Sequence, residues 1–310
     1  MNTIAKLSAY GAVLALIVTG AFTVGTAVGP LAGAAPEGAE HGDTHSGTVA
    51  EAQQSGIGQP SDRPGGLAST VGGYTLSPAD PTLTAGPTAP FSFTITGPDG
   101  APVTAFDVEH DKRMHLVVVR RDTSGFQHVH PEMAPDGTWS VPLTVPAAGS
   151  YRAFADFTPT GGVATTLGVD LAAAGVYEPV THAPSRTARV DGYTVELAGD
   201  LVAGQTSPVT LTVRRDGVEV TDLQPYLGAY GHLVALREGD LAYLHVHPDG
   251  APGVSAAGPR IAFAAEVPSA GTYRLFLDFR HGDVVRTAEF TVPTAEPDAA
   301  QPHGEPGHGH

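Results

Sequence analysis

MHLVVVRRDTSGFQHVHPE (residues 114–132) and GHLVALREGDLAYLHVHPD (residues 231–249) carry histidines at one spacing. The first has His115, His128 and His130; the second has His232, His245 and His247; Pro131 and Pro248 follow. Each stretch reads as a β-hairpin: a run of Leu, Val and Ala, a polar turn, then a second strand. Centring the first turn on Arg121–Gly125 sets Val119 opposite Phe126, Val117 opposite His128 and His115 opposite His130. In the second, a turn at Glu238-Gly239-Asp240 sets Val234 opposite His245 and His232 opposite His247. Side chains alternate faces along a strand, so each trio shares one face. Opposed Cβ atoms lie about 4.5–5.5 Å apart, near enough for three imidazoles to meet on one ion.

The hairpins belong to longer repeats, near residues 70–173 and 188–293. GGYTL (from Gly72) answers DGYTV (from Asp191), and PFSFTI (from Pro90) answers PVTLTV (from Pro208). Phe91, Phe93 and Ile95 alternate with polar residues, as Val209, Leu211 and Val213 do, which marks half-buried strands. VPAAGSYRAFADF (145–157) answers VPSAGTYRLFLDF (267–279). Each repeat offers about seven or eight short strands and no convincing helix. The predicted fold class is all-β: two tandem immunoglobulin-like or cupredoxin-like β-sandwiches.

Outside the repeats, residues 1–35 contain an uncharged run from Leu7 to Ala35, preceded by Lys6. It is long enough for a transmembrane helix, and the basic side predicts that the rest of the chain faces outward. A signal peptide cleaved near Ala32-Gly33-Ala34 is the alternative, giving a secreted protein. Residues 36–69 read as a flexible linker and 294–310 as a disordered tail. His41 and His45 in the linker, and His303, His308 and His310 in the tail, could capture metal weakly or merely solubilise the ends. A formal net charge of −16 disfavours nucleic acid as a partner and mildly favours cations. With no cysteine, disulfides and thiolate metal sites are excluded.

An all-imidazole set suits copper first and zinc second, and the lack of thiolate argues against a blue electron-transfer centre. Met114 and Met133 could offer a thioether in the first repeat, but Gly231 stands where Met114 would recur; packing is the expected role of Met114. Asp156 and Asp278 occupy matching positions. Each could orient a ligating histidine, but each is expected instead to pair with Arg152 or Arg274, four residues earlier on the same pleat face. Tyr151, Tyr273 and Trp139 read as core, and His110, His182 and His281 receive no role.

These motifs together resemble a group of actinobacterial secreted or single-pass anchored proteins described as heavy-metal-binding or YtkA-like. That resemblance implies a β-sandwich and a link to copper or heavy-metal handling; the ligand assignment rests on the hairpins alone. The expectation is a non-enzymatic, extracytoplasmic metal-binding protein that buffers, sequesters or delivers copper, with a metal transporter or chaperone as partner. The alternatives are a structural or interaction protein whose histidines help packing or sense pH, and a copper oxidoreductase. No Ser-His-Asp arrangement, phosphate loop or pair of catalytic carboxylates stands out.

Overall fold

A computed structural model describes residues 64–244, 246–250 and 252–295, except for the His247 side chain. The segment read as membrane-spanning, most of the linker and nearly all of the tail lie outside the described residues, as does His245.

The first repeat holds β1 (Thr70–Val71), β2 (Tyr74–Pro78), β3 (Thr82–Leu83), β4 (Ala89–Thr96), β5 (His115–Arg120), β6 (Gln127–Val129), β7 (Glu132–Met133), β8 (Thr138–Leu143), β9 (Gly149–Phe157) and β10 (Thr165–Ala173). They form two sheets, ordered β1-β2-β4-β8-β7 and β3-β10-β9-β5-β6. The second repeat holds β11 (Thr187–Val190), β12 (Tyr193–Ala198), β13 (Gln205–Arg215), β14 (Val218–Glu219), β15 (His232–Arg237), β16 (Tyr243–Leu244), β17 (Val246–Asp249), β18 (Arg260–Val267), β19 (Thr272–His281) and β20 (Val284–Pro293). Its sheets run β11-β12-β13-β18-β17, with β14 on β13, and β16-β15-β19-β20. Both repeats are immunoglobulin-like β-sandwiches. The extra strands beyond the expected seven or eight are two-residue pieces at sheet margins.

Alternation builds each core. Phe91, Phe93 and Ile95 point inward from β4 and meet Leu116, Val118, Tyr151, Ala153 and Leu167 from the opposite sheet. Val209, Leu211 and Val213 do the same in the second repeat, against Leu233, Ala235, Tyr273 and Leu275. Tyr151 and Tyr273 are fully buried and donate their hydroxyls to the carbonyls of Ala147 and Ser269 at 2.7 and 2.8 Å. Trp139 and Met114 are core residues, as expected.

A third apolar cluster joins the repeats. Strands β5 and β15 are apolar on both faces, as a strand covered on both sides must be. Leu116 and Val118 enter their own sandwich, while Val117 and Val119 meet Val234, Leu236, Leu241, Phe154 and Phe276 between the two sandwiches. The contacts are reciprocal. Phe126 of the first repeat stacks on Phe276 of the second, with centroids 4.0 Å apart and planes 3° apart. Tyr243, the counterpart of Phe126, lies 5.5 Å from Phe154, the counterpart of Phe276. Residues 64–69, the end of the stretch read as linker, also hold defined contacts here. Gly65 bridges to Tyr243, and the Gly66 carbonyl accepts two hydrogen bonds from Arg152 at 2.7 and 2.9 Å.

Candidate metal centre

The hairpin registers agree with the sequence. Strand β6 pairs with β5 as Leu116↔Val129, Val117↔His128 and Val118↔Gln127. Strand β16 pairs with β15 as Ala235↔Leu244 and Leu236↔Tyr243, the register expected for the second repeat. The second hairpin then ends. Strand β17 crosses to the other sheet, where His247 stands opposite Ala264 of β18, so His247 is not the β15 neighbour that the sequence suggested. The first repeat makes the same crossover after His130, since Glu132 and Met133 pair with β8.

His115, His128 and His130 converge. Each offers a nitrogen within 4.8 Å of the others'. Their ring centroids are 5.3, 4.9 and 4.9 Å apart. Imidazoles bound tetrahedrally to one ion at 2.0–2.1 Å would have centroids about 5 Å apart.

Hydrogen-bond partners assign the tautomers. His115 Nε2 lies 3.1 Å from the Glu109 carbonyl, which can only accept, so Nε2 carries the proton and Nδ1 the lone pair. His128 donates Nδ1–H to Asp278 Oδ2 at 2.8 Å, which turns its Nε2 away from the carboxylate. His115 Nδ1 and His128 Nε2 face one another at 3.1 Å, within hydrogen-bond distance. That separation subtends about 95–100° at an ion with bonds of 2.0–2.1 Å, inside the range of common coordination geometries. His130 Nε2 is buried without a hydrogen-bond partner.

Burial, then repulsion from neighbouring rings, keeps His115, His130 and His232 neutral. Desolvation, followed by the neighbouring His128, lowers the pKa of His115 to about 3. The same causes, in the same order, lower His130 to about 2. His232 falls to about 4, again through burial first and His128 second. Neutral imidazole is the form that ligates a metal.

The second repeat contributes to the same place. The His232 ring lies 6.2 Å from His115 and 6.2 Å from His128. Its Nε2 lies 3.2 and 3.0 Å from the carbonyls of Tyr226 and Leu227. A common device underlies this. Six residues before each leading histidine a tight turn begins, Glu109–Lys112 or Tyr226–Ala229, closed by reciprocal backbone hydrogen bonds. His110, Asp111, Leu227 and Gly228 occupy positive φ at its two corners (47, 62, 54 and 73°), as a type I′ turn requires. The turn aims its carbonyls at the ring.

Asp278 corrects the expected pairing. It accepts from His128 across the repeat boundary and from Thr287 Oγ1 at 2.6 Å, not from Arg274. Arg274 pairs with Glu289, and Arg152 with Asp170 and Gly66. Asp156 binds Thr166 Oγ1 at 2.7 Å. The arginines reach sideways along the sheet because Phe154 and Phe276 occupy the space between them and the aspartates, beneath cation–π contacts of 5.7 and 5.2 Å.

Sequence reasoning missed His110, which is exposed with its ring 5.1 Å from His232 and 6.1 Å from His115, and Tyr226, whose ring lies 6.3 Å from His130. A cavity of about 130 Å³ between the repeats is lined by His110, His115, His128, His232, Glu109 and Asp156, among others. The two-faced apolar runs of β5 and β15 were the available sign that the histidine faces meet. Among the described residues no helix is long and apolar enough to cross a membrane.

No curated protein matches the chain. Among solved structures it is similar to the Escherichia coli adhesin FdeC, at 12% identity over 71% of this chain and 63% of that one, with a TM-score of 0.22. It is similar to domains 4–9 of the surface layer protein SbsC (14%, 73% and 31%, 0.22) and to the bacterial integrin-binding protein invasin (13%, 71% and 39%, 0.20). The chain spans less than two thirds of each of these proteins. Scores this low carry no argument about function. A family model matches twice, over residues 69–174 and 188–296, in agreement with the two repeats, and the chain thereby belongs to the family described as Domain of unknown function (DUF8832).

Proposed function

We propose that this chain is a non-enzymatic metal-binding protein that holds copper, with zinc as the second choice, at His115, His128 and His130. One observation carries the reading: three histidines bring ring nitrogens within 4.8 Å of one another, and His130 Nε2 is buried there with no hydrogen-bond partner. An unpaired buried polar atom costs about 1–3 kcal/mol. A cation among the three rings removes that penalty. By repeat equivalence His232, His245 and His247 are the further candidate ligands. The apolar N-terminal run and the resemblance to heavy-metal-binding, YtkA-like proteins support an outward-facing chain, anchored or secreted, that buffers, sequesters or hands copper to a transporter or chaperone.

A structural reading has its own support. The His128–Asp278 hydrogen bond spans the two repeats, so the histidines could serve as cement between tandem modules. Calorimetric titration separates the two. The sample is the full chain with His41, His45, His303, His308 and His310 replaced by Ala, titrated with Cu(II) and Zn(II). Metal binding predicts a tight site that weakens at least 100-fold in His130→Ala, with little loss of metal-free stability, because the orphaned nitrogen goes too. Cement predicts no tight site and a lower melting temperature in the same variant.

A further inference from the structure

We infer that the metal centre is shared between the repeats: His232 supplies a fourth nitrogen to the ion held by His115, His128 and His130, and Asp278 positions His128 for it. The inference rests on the metal-binding reading above.

Two carbonyls hold the Nε2–H of His232, so its lone pair is on Nδ1, the same tautomer that the Glu109 carbonyl imposes on His115. The ring stands about one ångström farther from His115 and His128 than a bound fourth imidazole would, at 6.2 Å against about 5 Å. Coordination by His232 requires its half-buried ring to close that gap. Both contributions from the second repeat come from one cross-strand pair, since His232 of β15 stands opposite Asp278 of β19. Asp278 is 4% exposed, so its charge acts through low dielectric on the ring that it orients. A carboxylate on the far nitrogen of a ligating histidine fixes the ring and raises its basicity, and its loss commonly costs 10–100-fold in affinity. The ion would then bridge the repeats, with the cavity as its route in.

The test uses the full chain lacking its five terminal histidines, with Cu(II) as the probe. Electron paramagnetic resonance counts the coupled nitrogens, and competition titration gives affinity. The expected result is four nitrogens in the parent, and three in both His232→Ala and His232→Gln with affinity about 10–100-fold weaker. The Gln variant keeps a donor for the Tyr226 and Leu227 carbonyls, so the turn survives. Asp278→Asn should keep four nitrogens but weaken affinity about 10–100-fold. If His130→Ala weakens binding while the His232 and Asp278 variants match the parent, the shared centre is wrong and the three-histidine site stands. If His130→Ala binds as the parent does, or the parent has no tight site, both readings fall.

Discussion

At the scale of single residues the site is a matter of which nitrogen carries the proton. The rings of His115, His128 and His232 are oriented by Glu109, Asp278 and the Tyr226–Leu227 carbonyls, none of which is adjacent in sequence to the ring it controls. Burial also stores acid sensitivity. His115, His130 and His232 have folded pKa values of about 3, 2 and 4, against 6.5 in the open chain. Above pH 6.5 neither state binds protons there, so this contribution is flat. Below it the unfolded chain takes up protons that the folded chain refuses, and stability falls as pH drops towards 4. Each group contributes at most about 1.4 kcal/mol per pH unit. Urea midpoints of metal-free protein should therefore decline from pH 7.5 to pH 5, and less steeply in His232→Gln. Equal slopes in parent and variant would contradict the burial argument.

At the scale of elements, β5 and β15 decide what the histidine faces meet. Each alternates between two apolar environments, its own core and the cluster between repeats. An ordinary half-exposed strand would show polar residues where Val117, Val119, Val234 and Leu236 stand. Phe276 is fully buried and stacked on Phe126. Phe276→Ala should cost about 3–5 kcal/mol, the usual range for emptying an aromatic core position. Denaturant unfolding should show this as a lower midpoint with an unchanged slope.

At the scale of the whole chain, the two sandwiches behave as one unit because a third core, a hydrogen bond between His128 and Asp278, and the strap at residues 64–69 all connect them. Gly66 takes φ +72°, and a Cβ there would lie 2.4 Å from the Phe154 ring, so the strap's close approach requires glycine. Calorimetry of the parent should give a single cooperative transition. Val117→Lys with Val234→Lys would place two like charges in the shared core and should split unfolding into two transitions, one per sandwich.

Much of this was legible in the chain itself. A period of two along PFSFTI and PVTLTV determined the half-buried strands, and repetition at matching spacing determined two sandwiches. Turn residues placed both hairpin registers, because a polar turn between apolar runs leaves little choice of pairing. Those are local patterns, and local sterics settle them. The partner of His128 lies 150 residues away, and the crossover that takes His247 to another sheet depends on β18 being there to receive it. The pairing of Asp278 with a histidine in place of Arg274 likewise depends on Phe276 and Glu289. Such contacts are settled only when two apolar faces exclude water against one another, and nothing in either face's own sequence names the other.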